Sequence, residues 1–172
     1  MTFRIRPEEP TDAEAIRGVH LSAFPSQLEA DLVDRLRRDG DLVISLVAER
    51  QRETVGHVAL SRMTATAEDR PLRALGLGPI GVHRTMQGGG AGAALVEAAK
   101  VVARTTGEEL IFVLGEPEYY RRFGFSAEAA RPFESPYSGP YFMALPLQPG
   151  SVPPRRGQAQ YAPGFGALSD QA

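Results

Sequence analysis

Cysteine and tryptophan are both absent from the 172 residues of this chain. Without cysteine the protein has no disulfide bonds, no thiolate nucleophile and no cysteine-ligated metal. Lysine is nearly absent too, because 18 of the 19 basic residues are arginine and only Lys100 is lysine. We expect no metal site, and any reaction that needs a covalent intermediate on cysteine is excluded.

A concentrated charge of one sign is also missing, because 19 basic and 21 acidic residues give a formal net charge of -2. Nothing therefore indicates a nucleic-acid surface. No apolar run approaches the roughly 20 residues of a membrane span, and the charged first ten residues lack the apolar core of a signal peptide. We expect a cytoplasmic protein with small-molecule or protein partners, and neither nucleic acid nor membrane among them.

The hydrophobic pattern predicts a strand, two helices and then a meander. Residues 2–6 alternate as a short strand, and a helix follows with Thr11 and Glu14 as its capping box. A second helix is expected over residues 27–38. The runs LVISLVAE, VGHVALSRMTA and LRALGLGPIGV are rich in β-branched and apolar residues and are separated by polar turns. They predict three consecutive antiparallel strands.

Helical spacing returns at residues 91–103, followed by a buried strand at 110–115 and a short helix and turn at 117–125. A closing strand is expected at residues 141–147. This order indicates an α+β fold, one mixed sheet covered by helices. We predict a domain of residues 1–147 and a tail of residues 148–172, rich in Pro, Gly and Gln, that packs on the domain or is partly disordered.

Glycines cluster at Gly88, Gly89, Gly90 and Gly92, where the third predicted helix begins. The first N–H groups of a helix lack intrahelical partners and attract anions, phosphate above all. Glycine lacks the Cβ atom that would hold a phosphate away from the backbone. The position between an apolar strand and a helix favours a phosphate site over a flexible loop.

Two familiar phosphate motifs fit this cluster poorly. A P-loop needs Gly-Lys-Ser/Thr, and Lys and hydroxyl are both missing here, so it is excluded. A dinucleotide fingerprint matches formally at Gly88, Gly90 and Ala93, with Glu108 about 20 residues further on. However, an antiparallel meander precedes the motif and too few residues follow it for a doubly wound sheet. We therefore keep the dinucleotide site only as the weaker alternative.

The third motif is the coenzyme A loop, Gln/Arg-x-x-Gly-x-Gly/Ala, which QGGGAG at residues 87–92 satisfies. Together with LGLGPIGV before it, and with LGEPEYYRRFGF and FMAL after it, the chain resembles the GNAT superfamily of acetyl-CoA-dependent N-acetyltransferases over residues 3–147. The resemblance is to a subgroup of small predicted bacterial acetyltransferases. It implies a GNAT-like mixed sheet, with helices on both faces and splayed central strands.

The resemblance also implies where acetyl-CoA lies. Pro79 between two glycines marks a bulge that splays its strand from the strand at residues 110–114. The two amides of pantetheine would pair with Ile80 and Val82, with Gly81 between them, as a peptide adds to a sheet edge. The diphosphate would meet the N–H groups of Gln87, Gly88, Gly89, Gly90, Ala91 and Gly92.

Tyr120 is the catalytic residue that the resemblance implies, because the family's tyrosine lies four residues before a Gly-Phe pair, here Gly124-Phe125. Its role is to protonate the coenzyme A thiolate as an amine attacks the thioester. Tyr119, one residue away on a short helix, faces about 100° elsewhere and is expected to pack or to line the substrate site. Without cysteine, we expect direct transfer in a ternary complex.

The general base stays open, because many relatives carry a glutamate on the strand before Pro79, where this chain has Gly76 and Leu77. His57, His83, Glu116 or a chain of water are the candidates. This departure motivates an alternative function, a non-catalytic acyl-CoA-binding sensor or subunit.

The acceptor is expected to be a small-molecule or peptide amine, and the protein a monomer or homodimer. Acidic residues that could attract a cationic amine are Glu29, Asp31 and Glu134. Arg84 or Arg122 could meet the adenosine 3′-phosphate.

Overall fold

The computed structural model describes residues 2–166, so the end of the predicted tail, residues 167–172, lies outside the described residues. Strands and helices follow one another in the order β1 (Arg4–Pro7), α1 (Ala13–Ala23), α2 (Leu28–Asp39), β2 (Leu42–Arg50), β3 (Glu53–Arg62), β4 (Thr64–Ala67), β5 (Arg70–Leu72), β6 (Ala74–Val82), α3 (Ala91–Thr105), β7 (Leu110–Leu114), α4 (Pro117–Arg121), α5 (Ala127–Ala130), β8 (Phe133–Glu134), β9 (Phe142–Pro146) and β10 (Gly157–Gln160).

The main sheet has six strands in the order β1-β2-β3-β6-β7-β9. Strands β1, β2, β3 and β6 pair antiparallel, β6 and β7 pair parallel, and β7 pairs antiparallel with β9. The antiparallel pairing predicted for the three strand runs is confirmed as β2, β3 and β6, although β3 and β6 are not consecutive because β4 and β5 lie between them in the chain. The parallel pair of β6 and β7 makes the sheet mixed. The α+β class predicted from the sequence is therefore confirmed.

Helices cover both faces of this sheet, because alternate residues of each strand point to opposite sides. Leu46 of β2 is buried in one core with Leu95 of α3. Its neighbour Val47 is buried in another core with Ile16 of α1 and Val33 of α2. Helix α3 thus packs on one face, and α1 and α2 pack on the other, as predicted.

A second sheet corrects the prediction of a single one. It has four strands in the order β5-β4-β10-β8, in which β10 pairs antiparallel with β4 and parallel with β8. The run VGHVALSRMTA reads as one strand by composition, but β3 ends at Arg62 and β4 starts at Thr64. The strand β10 comes from the predicted tail, whose division from the domain at residue 147 stays a prediction.

Phenylalanines join the second sheet to the first. The ring of Phe112 on β7 stacks on the ring of Phe142 on β9, with 5.3 Å between their centroids. The ring of Phe133 on β8 contacts the Phe112 ring edge-on, at 5.1 Å between centroids. All three are buried. The second sheet therefore covers the β7–β9 half of the face whose other half is covered by α1 and α2.

Helix α1 begins at Ala13, two residues after Thr11, the first residue of the predicted capping box. Asp12 Oδ2 accepts the main-chain N–H of Glu9 at 2.6 Å, and this reciprocal cap closes a short 3₁₀ turn that Pro10 opens. Hydrogen bonds from Arg6 hold the pKa of Asp12 below its usual range. The box predicted at Thr11 and Glu14 is wrong because the proline starts the turn before α1.

Glu108, which completed the dinucleotide fingerprint, is a structural ion-pair residue. Its side chain is 1% exposed and accepts from Arg62 at 2.7 and 2.8 Å and from Arg73 at 2.9 Å. These contacts fasten the start of β7 to the end of β3 and to the residue before β6. Burial by itself would raise the pKa of Glu108, but the two arginines outweigh it and the pKa is lowered.

Replacing Glu108→Gln is expected to lower the free energy of unfolding by about 2 kcal/mol at pH 7, because a charged acceptor of several hydrogen bonds is lost. A carboxyl group whose pKa is lower in the folded state stabilises above its unfolded pKa of about 4.3 and loses that effect as the pH falls below it. Urea unfolding at pH 7 and pH 3 should show the difference shrinking at pH 3.

Glu97→Gln is the control, since Glu97 has a side chain that is 56% exposed and pairs with Lys100. This change should lower the free energy of unfolding by less than about 0.5 kcal/mol. A loss of equal size for Glu108→Gln at both pH values would contradict the ion-pair explanation.

Candidate functional site

The parallel strands β6 and β7 separate in the middle of the main sheet. Their pairing ends at Leu77 and Val113, after which Leu114 pairs only with Phe142 of β9. Strand β6 continues along β3 with a register shift between the Leu60–Leu77 pair and the Val58–Ile80 pair, which makes the bulge at Pro79. The predicted splay is confirmed, and the gap it opens is called the wedge below.

Main-chain groups of β6 point into the wedge. The N–H of His83 donates to Val55 O at 2.7 Å, so residue 83 forms a hydrogen-bonded pair with β3 and, by alternation, so does Gly81. The N–H and C=O groups of Ile80 and Val82 then point away from β3. The side chain of Gln87 already donates to Val82 O at 3.0 Å, which shows that this carbonyl faces away from the sheet.

The glycine loop, residues 87–92, leads into α3. Gly88 and Gly90 have φ values of +82° and +93°, which favour glycine, and a Cβ atom on either would meet no atom within 4 Å. Gly90 is the N-cap of α3 and its carbonyl first accepts from Ala94. The N–H groups before Ala94 lie where a helix leaves donors free for an anion.

Two tyrosines from α4 lie beside the wedge and face different ways. Tyr119 approaches the glycine loop, since a Cβ on Gly92 would lie 2.9 Å from its hydroxyl oxygen. Arg122 lies over the Tyr119 ring at 4.5 Å. Tyr120 is 8% exposed, and its ring packs so closely on Gly115 that a Cβ there would lie 2.5 Å away. The different directions agree with the prediction for adjacent helical residues.

Burial sets the protonation of Tyr120. Desolvation, with a smaller effect of Tyr119, raises the pKa of its phenol to about 12. The hydroxyl therefore stays protonated throughout the neutral range and remains a hydrogen-bond donor.

The candidate bases are not equivalent in the structure. His57 is fully buried between His20 and Ser45, at 2.8 Å from each. His83 caps a short turn by accepting from the Thr85 N–H at 3.3 Å. Glu116 is the N-cap of α4.

His20 was missed by the sequence analysis, although a signal existed. It follows Val19 on the buried stripe of α1 and lies one turn after Ile16. A polar imidazole at a position of the apolar stripe is the signal that could have identified it. Burial lowers the pKa of His20 to about 4.

Tyr161 was missed as well, because it lies in the predicted tail. A Cβ on Gly76 would lie 2.5 Å from Cε1 of its ring, so the tail fills the space beside β6 that a larger residue 76 would need. Its hydroxyl is buried without a hydrogen-bond partner among residues 2–166, as is the hydroxyl of Ser61, which pairs with Gly76 across the strands. Burial, Tyr137 and Tyr120 raise the pKa of Tyr161.

Gly76→Ala is expected to lower the free energy of unfolding by about 2 kcal/mol, since the new methyl group overlaps a ring that cannot move freely. In a Tyr161→Ala background the same change should cost much less, so the two should couple by about 1 kcal/mol or more. Chemical denaturation of the four proteins measures this. Additive losses would show that the ring does not confine residue 76.

The acidic residues expected to attract an amine do not act as a group. Asp31 pairs with Arg17 at 2.8 Å on the surface, and Glu134 is an exposed residue of β8. Glu29 in the first turn of α2 has one buried carboxylate oxygen without a hydrogen-bond partner in the described part of the chain. Of the three, only Glu29 has a buried oxygen free to accept a hydrogen bond.

Within residues 2–166 no helix is long and apolar enough to cross a membrane.

Comparison with known proteins identifies the family. The model of the acetyltransferase (GNAT) domain matches residues 4–127. The uncharacterized N-acetyltransferase YhbS of Escherichia coli K12 is 36% identical over 126 residues, which cover 73% of this chain and 74% of YhbS. YjhQ, another uncharacterized N-acetyltransferase of this strain, is 36% identical over 143 residues, covering 81% of this chain and 76% of YjhQ.

Two solved structures of GNAT acetyltransferases are similar to this chain. A crystal structure of E. coli YhbS in complex with CoA has a TM-score of 0.84 and 29% identity, and covers 95% of this chain and 92% of that one. A GNAT family acetyltransferase from Brucella melitensis in complex with acetyl-CoA has a TM-score of 0.77 and 32% identity, with 95% and 98% covered. The splayed sheet, the glycine loop and these matches together show that the chain belongs to the GNAT family of acetyltransferases.

Proposed function

We propose that this enzyme transfers the acetyl group of acetyl-CoA to a primary amine by direct attack within a ternary complex. The protein is an N-acetyltransferase, and acetyl-CoA is its cosubstrate, as in the complex of its Brucella relative. The observation that carries the proposal is the wedge, where β6 leaves β7 after Leu77 and the main-chain polar groups of Ile80 and Val82 point away from β3.

The cosubstrate is proposed to bind along β6 and across the start of α3. The pantetheine amides would pair with Ile80 and Val82, with Gly81 between them, and complete the sheet locally. The diphosphate would accept from the N–H groups of the glycine loop. Arg122, held over the Tyr119 ring next to this loop, is the cation proposed for the remaining phosphate charge.

The chemistry begins when the amine lone pair attacks the thioester carbonyl carbon. The negative charge that forms on the carbonyl oxygen would be stabilised by a main-chain N–H near Ile80. As the C–S bond breaks, Tyr120 is proposed to donate to the leaving sulfur. Because its pKa of about 12 exceeds the roughly 8.5 of an ordinary thiol, the hydrogen bond to sulfur, formed before any full proton transfer, supplies most of the stabilisation.

Calorimetry and a thiol-release assay test the proposal. Acetyl-CoA should bind in a titration and NAD should not. Free thiol should then appear only when an amine is added, from a panel of small amines and of peptides with free N-termini or lysines. Binding without release for any amine would favour the acyl-CoA sensor, and binding of NAD alone would favour the dinucleotide site.

A further inference from the structure

A buried chain of hydrogen bonds connects the last turn of α1 with the protein surface. His20 Nε2 lies 2.8 Å from His57 Nδ1, and His57 Nε2 lies 2.8 Å from Ser45 Oγ. Ser45 Oγ donates to Glu8 Oε1 at 3.1 Å. Both histidine rings are fully buried, whereas Glu8 forms a partly exposed ion pair with Arg37. The chain therefore runs from the core to the surface.

The available donors assign a direction to each of these bonds. A carboxylate only accepts, so the single hydroxyl hydrogen of Ser45 goes to Glu8. Ser45 Oγ then accepts from His57, which places the ring hydrogen of His57 on Nε2 and leaves its Nδ1 as an acceptor. His20 must therefore carry its ring hydrogen on Nε2 and donate it to His57 Nδ1. Every member donates to the next, and the free lone pair at the inner end is His20 Nδ1.

Burial, more than the surrounding charges, keeps both rings neutral at pH 7. Burial lowers the pKa of His20 to about 4, although Asp34 of α2 opposes it. Burial, His20 and Arg37 of α2 lower the pKa of His57, and Asp12 before α1 raises it. Neutral rings are required for the assigned directions, since an imidazolium would donate from both nitrogens.

The free nitrogen lies over Gly81 of β6, the strand that forms one edge of the wedge. A Cβ built on Gly81 would lie 2.9 Å from His20 Nδ1, and Gly81 stands between Ile80 and Val82, whose polar groups point into the wedge. His20 Nδ1 is buried and has no hydrogen-bond partner among residues 2–166. Leaving a buried polar atom unpaired is unfavourable, so the unpaired nitrogen requires an explanation.

We propose that His20 is the general base of the acetyl transfer, an inference that rests on the proposed function. The amine nitrogen forms the C–N bond and gives one N–H proton to His20 Nδ1. Linked transfers move the Nε2 hydrogen of His20 to His57, that of His57 to Ser45, and that of Ser45 to the Glu8 carboxylate and water. The electron pair of the C–S bond leaves with sulfur. Tyr120 gives the sulfur its proton and is then reprotonated by water.

The linked transfer explains how a buried imidazole can act as a base. A positive charge on His20 would be unfavourable in an apolar core. Because its second hydrogen leaves toward His57 as the first arrives, the ring stays neutral and the charge change takes place at Glu8 near solvent. His57, Ser45 and Glu8 are thus positioning and relay residues, and of these four residues His20 alone meets the substrate.

Ser45→Ala is the first test, since it breaks the relay and keeps both rings. At pH 7 we expect kcat to fall about 10-fold while the affinity for acetyl-CoA is unchanged. Between pH 7 and 9.5 the kcat of this variant should rise steadily and approach the wild-type value, because hydroxide replaces the relay, whereas the wild-type rate levels off. Ser151→Ala, at an exposed serine after β9, is the matched control and should behave as wild type.

His20→Gly is the second test, because it leaves a space that free imidazole can fill. Its turnover should be low and should rise at least about 10-fold when imidazole is added to the assay. If this variant does not fold, the pH profile of Ser45→Ala decides. Loss of rate in Ser45→Ala by the same factor at every pH would indicate a structural role and overturn the relay.

Turnover by the wild-type protein separates the relay from the acetyl transfer itself. Wild-type protein that binds acetyl-CoA but releases no thiol with any amine would remove both. Wild-type turnover combined with an unchanged rate and pH profile in Ser45→Ala, or in a folded His20→Gly protein, would remove the relay alone.

Discussion

Tyr120→Phe is expected to lower kcat by about 100-fold or more, the range for loss of a general acid, while the KM for acetyl-CoA stays within about twofold. The fold should be unchanged, because the ring keeps its contacts with Gly115 and its edge-on contact with Phe125. Steady-state kinetics with an amine found in the panel measures the effect.

The pH profile adds a sharper readout to this prediction. An acid acts in its protonated form, and burial raises the pKa of Tyr120 to about 12. The wild-type rate should therefore show no falling limb from this group at about pH 10, where an ordinary tyrosine would already be half ionised. Tyr141→Phe, at a residue that is 53% exposed, is the control. An unchanged kcat in Tyr120→Phe would exclude Tyr120 as the acid.

Gly88→Ala is expected to weaken acetyl-CoA binding about 10- to 100-fold. The new methyl group would occupy the open space from which a diphosphate approaches the loop, and the loss of one or more hydrogen bonds to a charged group has this size. Isothermal titration with acetyl-CoA measures the effect directly.

Gly40→Ala is the matched control for the loop. Gly40 has a φ of +79°, close to the +82° of Gly88, and a Cβ on either residue meets no atom within 4 Å. Both variants should therefore lose about 1 kcal/mol of stability from the same backbone strain. Only Gly88→Ala should lose affinity. Equal affinities in the two variants would show that the cosubstrate does not approach this loop.

The main sheet and its helices were predictable because the apolar residues of each element repeat with the spacing typical of a strand or a helix. The β2, β3 and β6 runs are rich in β-branched residues, and α3 has an apolar stripe ending near Gly107. The second sheet was not predictable in this way. Its strand β8 has two residues and β5 has three, too few for any alternation, and β10 (Gly157–Gln160) is held by pairing with distant strands.

The local parts of the candidate site were also predictable, since residues 87–92 and Tyr120 belong to short motifs. Parts that depend on distant residues were not. Tyr161 reaches Gly76 across 85 positions of the sequence, and the sequence shows only that residue 76 lacks a side chain. His20 and His57 lie on different elements, and only the fold places their nitrogens 2.8 Å apart.

The position of β10 between β4 and β8 has a consequence for shortened forms of this protein. A chain cut after residue 147 would keep every residue of the glycine loop and of the wedge, yet β4 and β8 would each lose the partner that β10 provides. Open strand edges of this kind recruit further strands from other molecules. Such a fragment would self-associate, although its cosubstrate residues would all be present.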